Sequence, residues 1–159
     1  MKNGSKGSSR VLKFPPGFLW GTATAAYQIE GGIKNDWEEQ TRIAPAGRAS
    51  DHYNRYEEDF LLAKKLKQNA HRLSLEWSRI EPQEGQWNEQ ELQHYFQVLD
   101  FLKERGFKTF LTLHHFTNPN WFSQDGGWSN SKSVDRFTRF VEKIVDHLGE
   151  LVDFWVTIN

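Results

Sequence analysis

Three uncharged side chains, Gln28, His115 and Asn159, each follow a short apolar run: FLWGTATA, FKTFLTL and DFWVTI. Amide and imidazole groups hydrogen-bond without committing a full charge. Gathered beside aromatic rings, they suit a hydroxyl-rich ligand, whose C–H faces an aromatic covers while polar groups take the hydroxyls. Other groups with chemical potential lie at the same chain positions. Tyr27 and Glu30 follow the first run; Glu76, Trp77 and Arg79 follow a second, NAHRLSLE, with Arg72 inside it; His114 and Phe116 flank His115.

Each ionisable group also has a plainer reading. Arg72 reads as the partner of a buried ion pair. Glu76 has the chemistry of an acid or base, but a rim carboxylate paired to a neighbouring Arg is the simpler expectation. Glu30 reads as a loop organiser accepting backbone N–H groups. Adjacent strand residues face opposite ways, so only one of His114 and His115 can reach a common site. There is no Cys and no H-E-x-x-H spacing, and neither a metal nor a cofactor is expected.

These residues need elements to hold them. Phe18 to Ala25 is a candidate buried strand. Ser50 or Asp51 can cap a helix with the stripe Tyr53, Tyr56, Phe60 and Ala63. Asn69 to Glu76 reads as the next strand. Asn88, with Glu91 three residues on, predicts a capping box for a helix with stripe Leu92, Tyr95, Phe96, Leu99 and Leu102, closed by Gly106. Phe107 to Leu113 is a third strand. A helix from Ser131 or Ser133 carries Val134, Phe137, Val141, Ile144, Val145 and Leu148, ends at Gly149, and leads into a fourth strand, LVDFWVTI.

Strict alternation of strand and helix predicts parallel strands with crossover helices. A doubly wound nucleotide fold would want G-x-G-x-x-G after its first strand, and EGG does not supply it. The alternative is a (β/α)8 barrel, which takes about 250 residues. The fold class expected is therefore α/β, the first four βα units of a barrel, with chemistry at the C-terminal ends of its strands. Residues 1–13 read as a flexible tail, and 14–159 as the incomplete barrel domain.

Bulk properties narrow the function. The 159 residues are 37% hydrophobic and 26% charged, as expected of a folded soluble chain, and the net charge of -1 argues against nucleic acid and anionic membranes. The polar start MKNGSKGSSR lacks an apolar signal core, and no apolar run reaches the ~18 residues of a membrane span, so a cytoplasmic protein is expected.

Four ordered stretches carry a family resemblance. FLWGTATAAYQIEGG, DHYNRYEEDFLLAKKLKQNAHRLSLEWSRIEP, LTLHHFTNPNWF with the later GGW, and WVTIN together resemble glycoside hydrolase family 1, the β-glucosidase family, from about Phe14 to Asn159. The resemblance implies a barrel that cleaves β-glycosides with retention, using two carboxylates roughly 5 Å apart. It implies that Gln28 and His115 grip hydroxyls of the non-reducing sugar, that Asn159 bonds the 2-hydroxyl, and that Arg72 lies near the nucleophile and favours its ionised form. Phe116 stands where the family usually has Trp, and the loop KNDWEEQTRIAPAGRASDHY is compact. The family's acid/base Glu follows directly on the Asn matched by Asn159, and its nucleophile lies on a later strand. The expectation is then an N-terminal part of a β-glycosidase, inactive alone, that self-associates or pairs with a C-terminal half. A non-catalytic sugar-binding or assembly module is the alternative.

Overall fold

The computed structural model describes residues 12–40, 42 and 44–159. Most of the expected tail, residues 1–11, lies outside the described residues; Leu12 and Lys13 are exposed. The elements run β1 (Gly21–Ala23), α1 (Ala26–Ile29), α2 (His52–Lys65), β2 (Ala70–Ser74), α3 (Trp77–Ile80), α4 (Glu89–Glu104), β3 (Lys108–His114), α5 (Asn120–Gln124), α6 (Ser133–Leu148) and β4 (Phe154–Ile158). The strands form one parallel sheet in the order β1-β2-β3-β4. Each strand lies beside its predecessor, so the chain winds one way; a doubly wound sheet would reverse its order partway.

The longest helices pack on one face of this sheet. Phe60 of α2, Leu99 and Leu102 of α4, and Phe140, Ile144 and Leu148 of α6 close over Leu73, Leu111 and Leu113. Alternation along the strands turns Arg72, Phe110 and Phe154 together to the opposite face, where they stand in register on β2, β3 and β4. There the Phe110 and Phe154 rings stack at 4.4 Å.

Helix α4 begins and ends by local chemistry. The Asn88 side chain accepts from the N–H groups of Gln90 and Glu91 at 3.1 and 3.4 Å. The reciprocal half of the expected capping box does not form, because Glu91 accepts from the Tyr53 hydroxyl at 3.0 Å instead. At the other end Gly106 takes φ 71°, and the N–H groups of Gly106 and Phe107 return to the carbonyls of Lys103 and Leu102. That is the Schellman closure, which a glycine permits without a Cβ clash.

Several boundaries differ from expectation. β1 is three residues, not Phe18–Ala25: Asn69 takes the backbone just before it, its Oδ1 accepting from the Trp20 N–H and its Nδ2 donating to the Phe18 carbonyl. Asp51 precedes α2 at φ 58°, and its carboxylate holds Arg48 and Asn54 instead of a helix N–H. Ser133 opens α6 behind Lys132, with no side-chain cap. Gly149 stays right-handed at φ -55°, and the helix tightens into a short 3-10 turn, Gly149–Leu151, before the chain leaves.

Candidate functional site

The sheet's C-terminal end gathers the candidate residues step by step. Ser74, the last residue of β2, accepts the Ala26 N–H at 2.8 Å. This fixes the start of the one-turn helix α1, which carries Gln28 exposed, just past β1 rather than on it. At the far side, the Asn159 N–H donates to the His114 carbonyl at 3.0 Å and extends the β3–β4 ladder by one bond. Its Oδ1 accepts from Arg72 Nη2 at 2.6 Å, while Arg72 Nε donates to Thr112 Oγ1 at 2.9 Å. Arg72 is thus half-buried and pinned by two neutral groups. The expected ion pair is not made: among the described residues Arg72 meets no carboxylate. A guanidinium held this way keeps its charge available to a group arriving on that face.

The two histidines at the end of β3 go to different surroundings, although alternation counted from Phe110 would by itself turn His114 toward the Arg72 face. His114 is buried; its Nε2 lies 3.0 Å from Asn118 Oδ1, and its ring packs on Trp128 and Phe137 at 5.0 and 6.1 Å. His115 faces the site and stands against Phe116 at 4.9 Å. Its imidazole is held below the usual range by burial first, then by the positive charge of Arg72 and by His114. A neutral imidazole both donates and accepts, which fits hydroxyl recognition.

Sequence reasoning missed Trp37. Its ring lies parallel to Phe116, 8° between planes and 6.0 Å between centroids, and edge-on to Tyr27 at 5.6 Å. Phe116 is half exposed, so the two rings form a stepped aromatic surface running from Tyr27, next to Gln28, to His115. The high aromatic content was the sole hint in the sequence; the loop before Tyr53 has no periodicity to place a ring.

The carboxylates go elsewhere. Glu30 was expected to organise backbone N–H groups; instead it accepts from Arg79 Nε at 2.9 Å and from the Tyr95 hydroxyl at 2.9 and 3.2 Å. Burial pushes its pKa up to about 7 against the pull of Arg79, with Glu76 adding to the rise. Glu76 was expected at the rim on an Arg. It is fully buried and held by neutral donors, Ser78 Oγ at 2.7 Å, Thr117 Oγ1 at 3.0 Å and Asn35 Nδ2 at 3.4 Å, because Arg79 is spent on Glu30 and the Gly31 carbonyl. Burial raises its pKa as well. Trp77, at the same strand end, is core: it stacks on Phe140 at 4.9 Å and donates to Glu81. A cleft of about 620 Å³ opens beside Glu30, Arg79 and Tyr53, but Gln28, His115 and Asn159 do not line it.

Four parallel strands wound one way, with neutral hydrogen-bonding side chains and an aromatic step at their C-terminal ends, define the opening segment of a (β/α)8 barrel with a polar, ring-lined mouth. The chain belongs to glycosyl hydrolase family 1, whose sequence pattern matches residues 11–159. It is 37% identical over 163 residues to beta-glucosidase A of Thermotoga maritima, covering 94% of this chain and 36% of that protein. It is also 37% identical over 158 residues to a 6-phospho-beta-galactosidase of Clostridium acetobutylicum, covering 92% of this chain and 33% of that protein. The structure superposes on a beta-glycosidase from Pyrococcus horikoshii with a TM-score of 0.88 at 38% identity, covering 93% of this chain and 36% of that one. The chain thus spans about a third of the length of the curated relatives it matches.

Proposed function

We propose that residues 14–159 form the first half of the barrel of a retaining β-glycosidase, and that the sheet's C-terminal end carries part of its sugar site. Gln28 and His115 bind hydroxyls of the non-reducing sugar, Phe116 covers its C–H face, and Asn159 bonds the 2-hydroxyl, a contact that strengthens in an oxocarbenium-like transition state. Arg72 sits beside the nucleophilic carboxylate and keeps it ionised. The observation that carries this reading is the Arg72–Asn159 contact at 2.6 Å. It sets a free positive charge beside an amide at the strand ends, where a nucleophile and a 2-hydroxyl have to meet.

The 159-residue polypeptide by itself does not hydrolyse β-glycosides on this reading. Its buried carboxylates, Glu30 and Glu76, are both sealed by donors and cannot flank a glycosidic bond. The test uses p-nitrophenyl β-D-glucoside with the polypeptide and with a full-length protein that carries it. Turnover by the short chain, with contaminating enzyme excluded, contradicts the reading; so does inversion at the anomeric carbon in the full-length product.

Phe154, Trp155 and Ile158 of β4 are 45%, 38% and 55% exposed, and the residues of β1 are exposed too. Such edges seek strands. The polypeptide therefore self-associates or pairs with a C-terminal half, which sedimentation resolves. We also place the protein in the cytoplasm, in carbohydrate breakdown. Without Cys the chain forms no disulfide and does not depend on an oxidising compartment, and among the described residues no helix is long and apolar enough to cross a membrane.

A further inference from the structure

The turn that carries the exposed ring of the site is strained. Phe116 has φ 69°, and the Thr117 N–H donates to the His115 carbonyl at 2.9 Å, two residues back. A γ-turn with a left-handed centre is rare, and rarer for a bulky side chain. It persists only where the surroundings over-determine it.

The turn's exit is held first by a buried carboxylate. Thr117, the exit residue of the turn, donates its hydroxyl to Glu76 Oε2 at 3.0 Å. The other oxygen, Oε1, collects Ser78 Oγ at 2.7 Å and Asn35 Nδ2 at 3.4 Å. One buried group thus ties together the loops that follow β1, β2 and β3. A buried carboxylate with no ion-pair partner among the described residues is an expensive residue. A second tie lies beside it: Asp36 accepts the Asn118 N–H and Nδ2, each at 2.9 Å, and its own N–H donates to the Asn118 carbonyl at 3.0 Å. Next after Asp36 in the chain comes Trp37, its ring parallel to that of Phe116.

We propose that Glu76 is a positioning residue for the His115–Phe116 corner: through Thr117 it clamps the exit of the strained turn and so aims imidazole and ring at the sugar. The clamp is a feature of the folded chain. Its consequence for catalysis rests on the reading above that this corner holds a sugar.

Two measurements test it on the same variants: Thr117→Val, which removes the hydroxyl and keeps the shape; Thr117→Ser, which restores it; Glu76→Ala; and Glu76→Gln, whose oxygen can still accept from Ser78 and Asn35 while its NH2 donates to the Thr117 hydroxyl. In the 159-residue chain, amide exchange at Asn118 and at position 117 should accelerate about tenfold or more in Thr117→Val and Glu76→Ala, stay near the parent rate in Thr117→Ser and Glu76→Gln, and leave the β3 amides of Leu111 and Leu113 unchanged. In the full-length glycosidase, Thr117→Val should lower kcat/KM about tenfold, mostly through KM, with Thr117→Ser and the pH profile of Glu76→Gln like the parent. Unchanged exchange in Thr117→Val overturns the clamp. Acceleration that spreads equally to Leu111 and Leu113 reduces Glu76 to a stabilising role and overturns it too. A clamp seen by exchange with kcat/KM untouched overturns the positioning role. A Glu76→Gln variant as damaged as Glu76→Ala, with a shifted pH profile, makes Glu76 a proton-transfer group instead. If the full-length parent cleaves no β-glycoside, the sugar reading fails, while exchange still decides the clamp.

Discussion

Replacing Glu30 with Gln should change how stability depends on pH, and the sign shows whether burial or Arg79 governs this carboxyl. Glu30 is 6% exposed, in contact with Arg79 and Tyr95. Burial lifts its pKa from 4.5 to about 7 in the fold, although Arg79 pulls it down. A raised acid binds its proton more tightly folded than unfolded. Its stabilising contribution is therefore complete below pH 4.5 and is lost as the pH climbs through the interval up to about 7. At 1.36 kcal/mol per pH unit that interval is worth about 3 kcal/mol. The amide of the Glu30→Gln variant has no proton to lose, so the parent should weaken by about 3 kcal/mol relative to the variant between pH 4.5 and 8. Other groups that titrate in the window are present in both proteins and largely cancel. His71, whose pKa is pushed down to about 4 by burial, is one of them, and it acts in the opposite sense. Urea unfolding at half-unit pH steps measures the difference. A flat difference refutes the elevated carboxyl. A parent that gains on the variant as pH rises shows that the Arg79 ion pair outweighs burial, and the argument for a neutral Glu30 then fails.

Other perturbations have simpler readouts. Asn88→Ala removes the acceptor for two N–H groups at the start of α4 and should cost about 1 kcal/mol in urea unfolding, whereas Asn88→Ser or Asn88→Asp should retain most of it. Leu99→Ala, at a fully buried position under the sheet, should cost about 2–5 kcal/mol and lower Cm without changing the m-value. Gly21→Ala puts a Cβ into the Ala70 carbonyl oxygen directly across the β1–β2 pairing, so amide exchange along β1 should accelerate while β3 and β4 stay protected. If Asn159 bonds the 2-hydroxyl as proposed, Asn159→Ala in the full-length protein should lower kcat for glucosides by roughly 10²-fold and cost less on a 2-deoxy substrate.

Periodicity and punctuation were enough to read the parallel βα succession and the main helices. The stripe of α4 holds for Leu92, Tyr95, Leu99 and Leu102 but not for Phe96, which is exposed; Asn88 and Gly106 at its two ends need only local chemistry and do what their types predict. What failed was set at long range. Glu91 forgoes its capping role for a tyrosine 38 positions away. β1 loses its first residues to the side chain of Asn69. Arg79 offers itself in sequence to Glu76, three residues earlier, yet reaches Glu30 across 49 positions. Trp37 had no positional signal beyond the high aromatic content, because the ring it lies parallel to, Phe116, comes from a loop some 80 positions on.

The division of labour among the charged groups is itself informative about mechanism. Retaining hydrolysis needs two carboxyl groups facing each other across the glycosidic bond, one ionised and one protonated, about 5 Å apart. Glu30 and Glu76 interact, since the charge of Glu76 adds to the raised pKa of Glu30, yet both point their oxygens into hydrogen bonds within the fold. Opening either to a substrate would mean breaking two or more buried bonds and stranding their donors, at about 1–3 kcal/mol for each donor left without a partner. Arg72 is the converse case: a cation on the sheet's other face, steadied by Thr112 and Asn159, with its charge unspent. An unspent guanidinium on that face stabilises an anion there far more than it would in water. The geometry therefore assigns the buried carboxylates to the framework of the mouth and leaves the charge of Arg72 without a carboxylate partner among the described residues. On the proposed function, an Arg72→Met change should harm turnover of β-glycosides by the full-length protein while leaving the Glu30 and Glu76 networks intact.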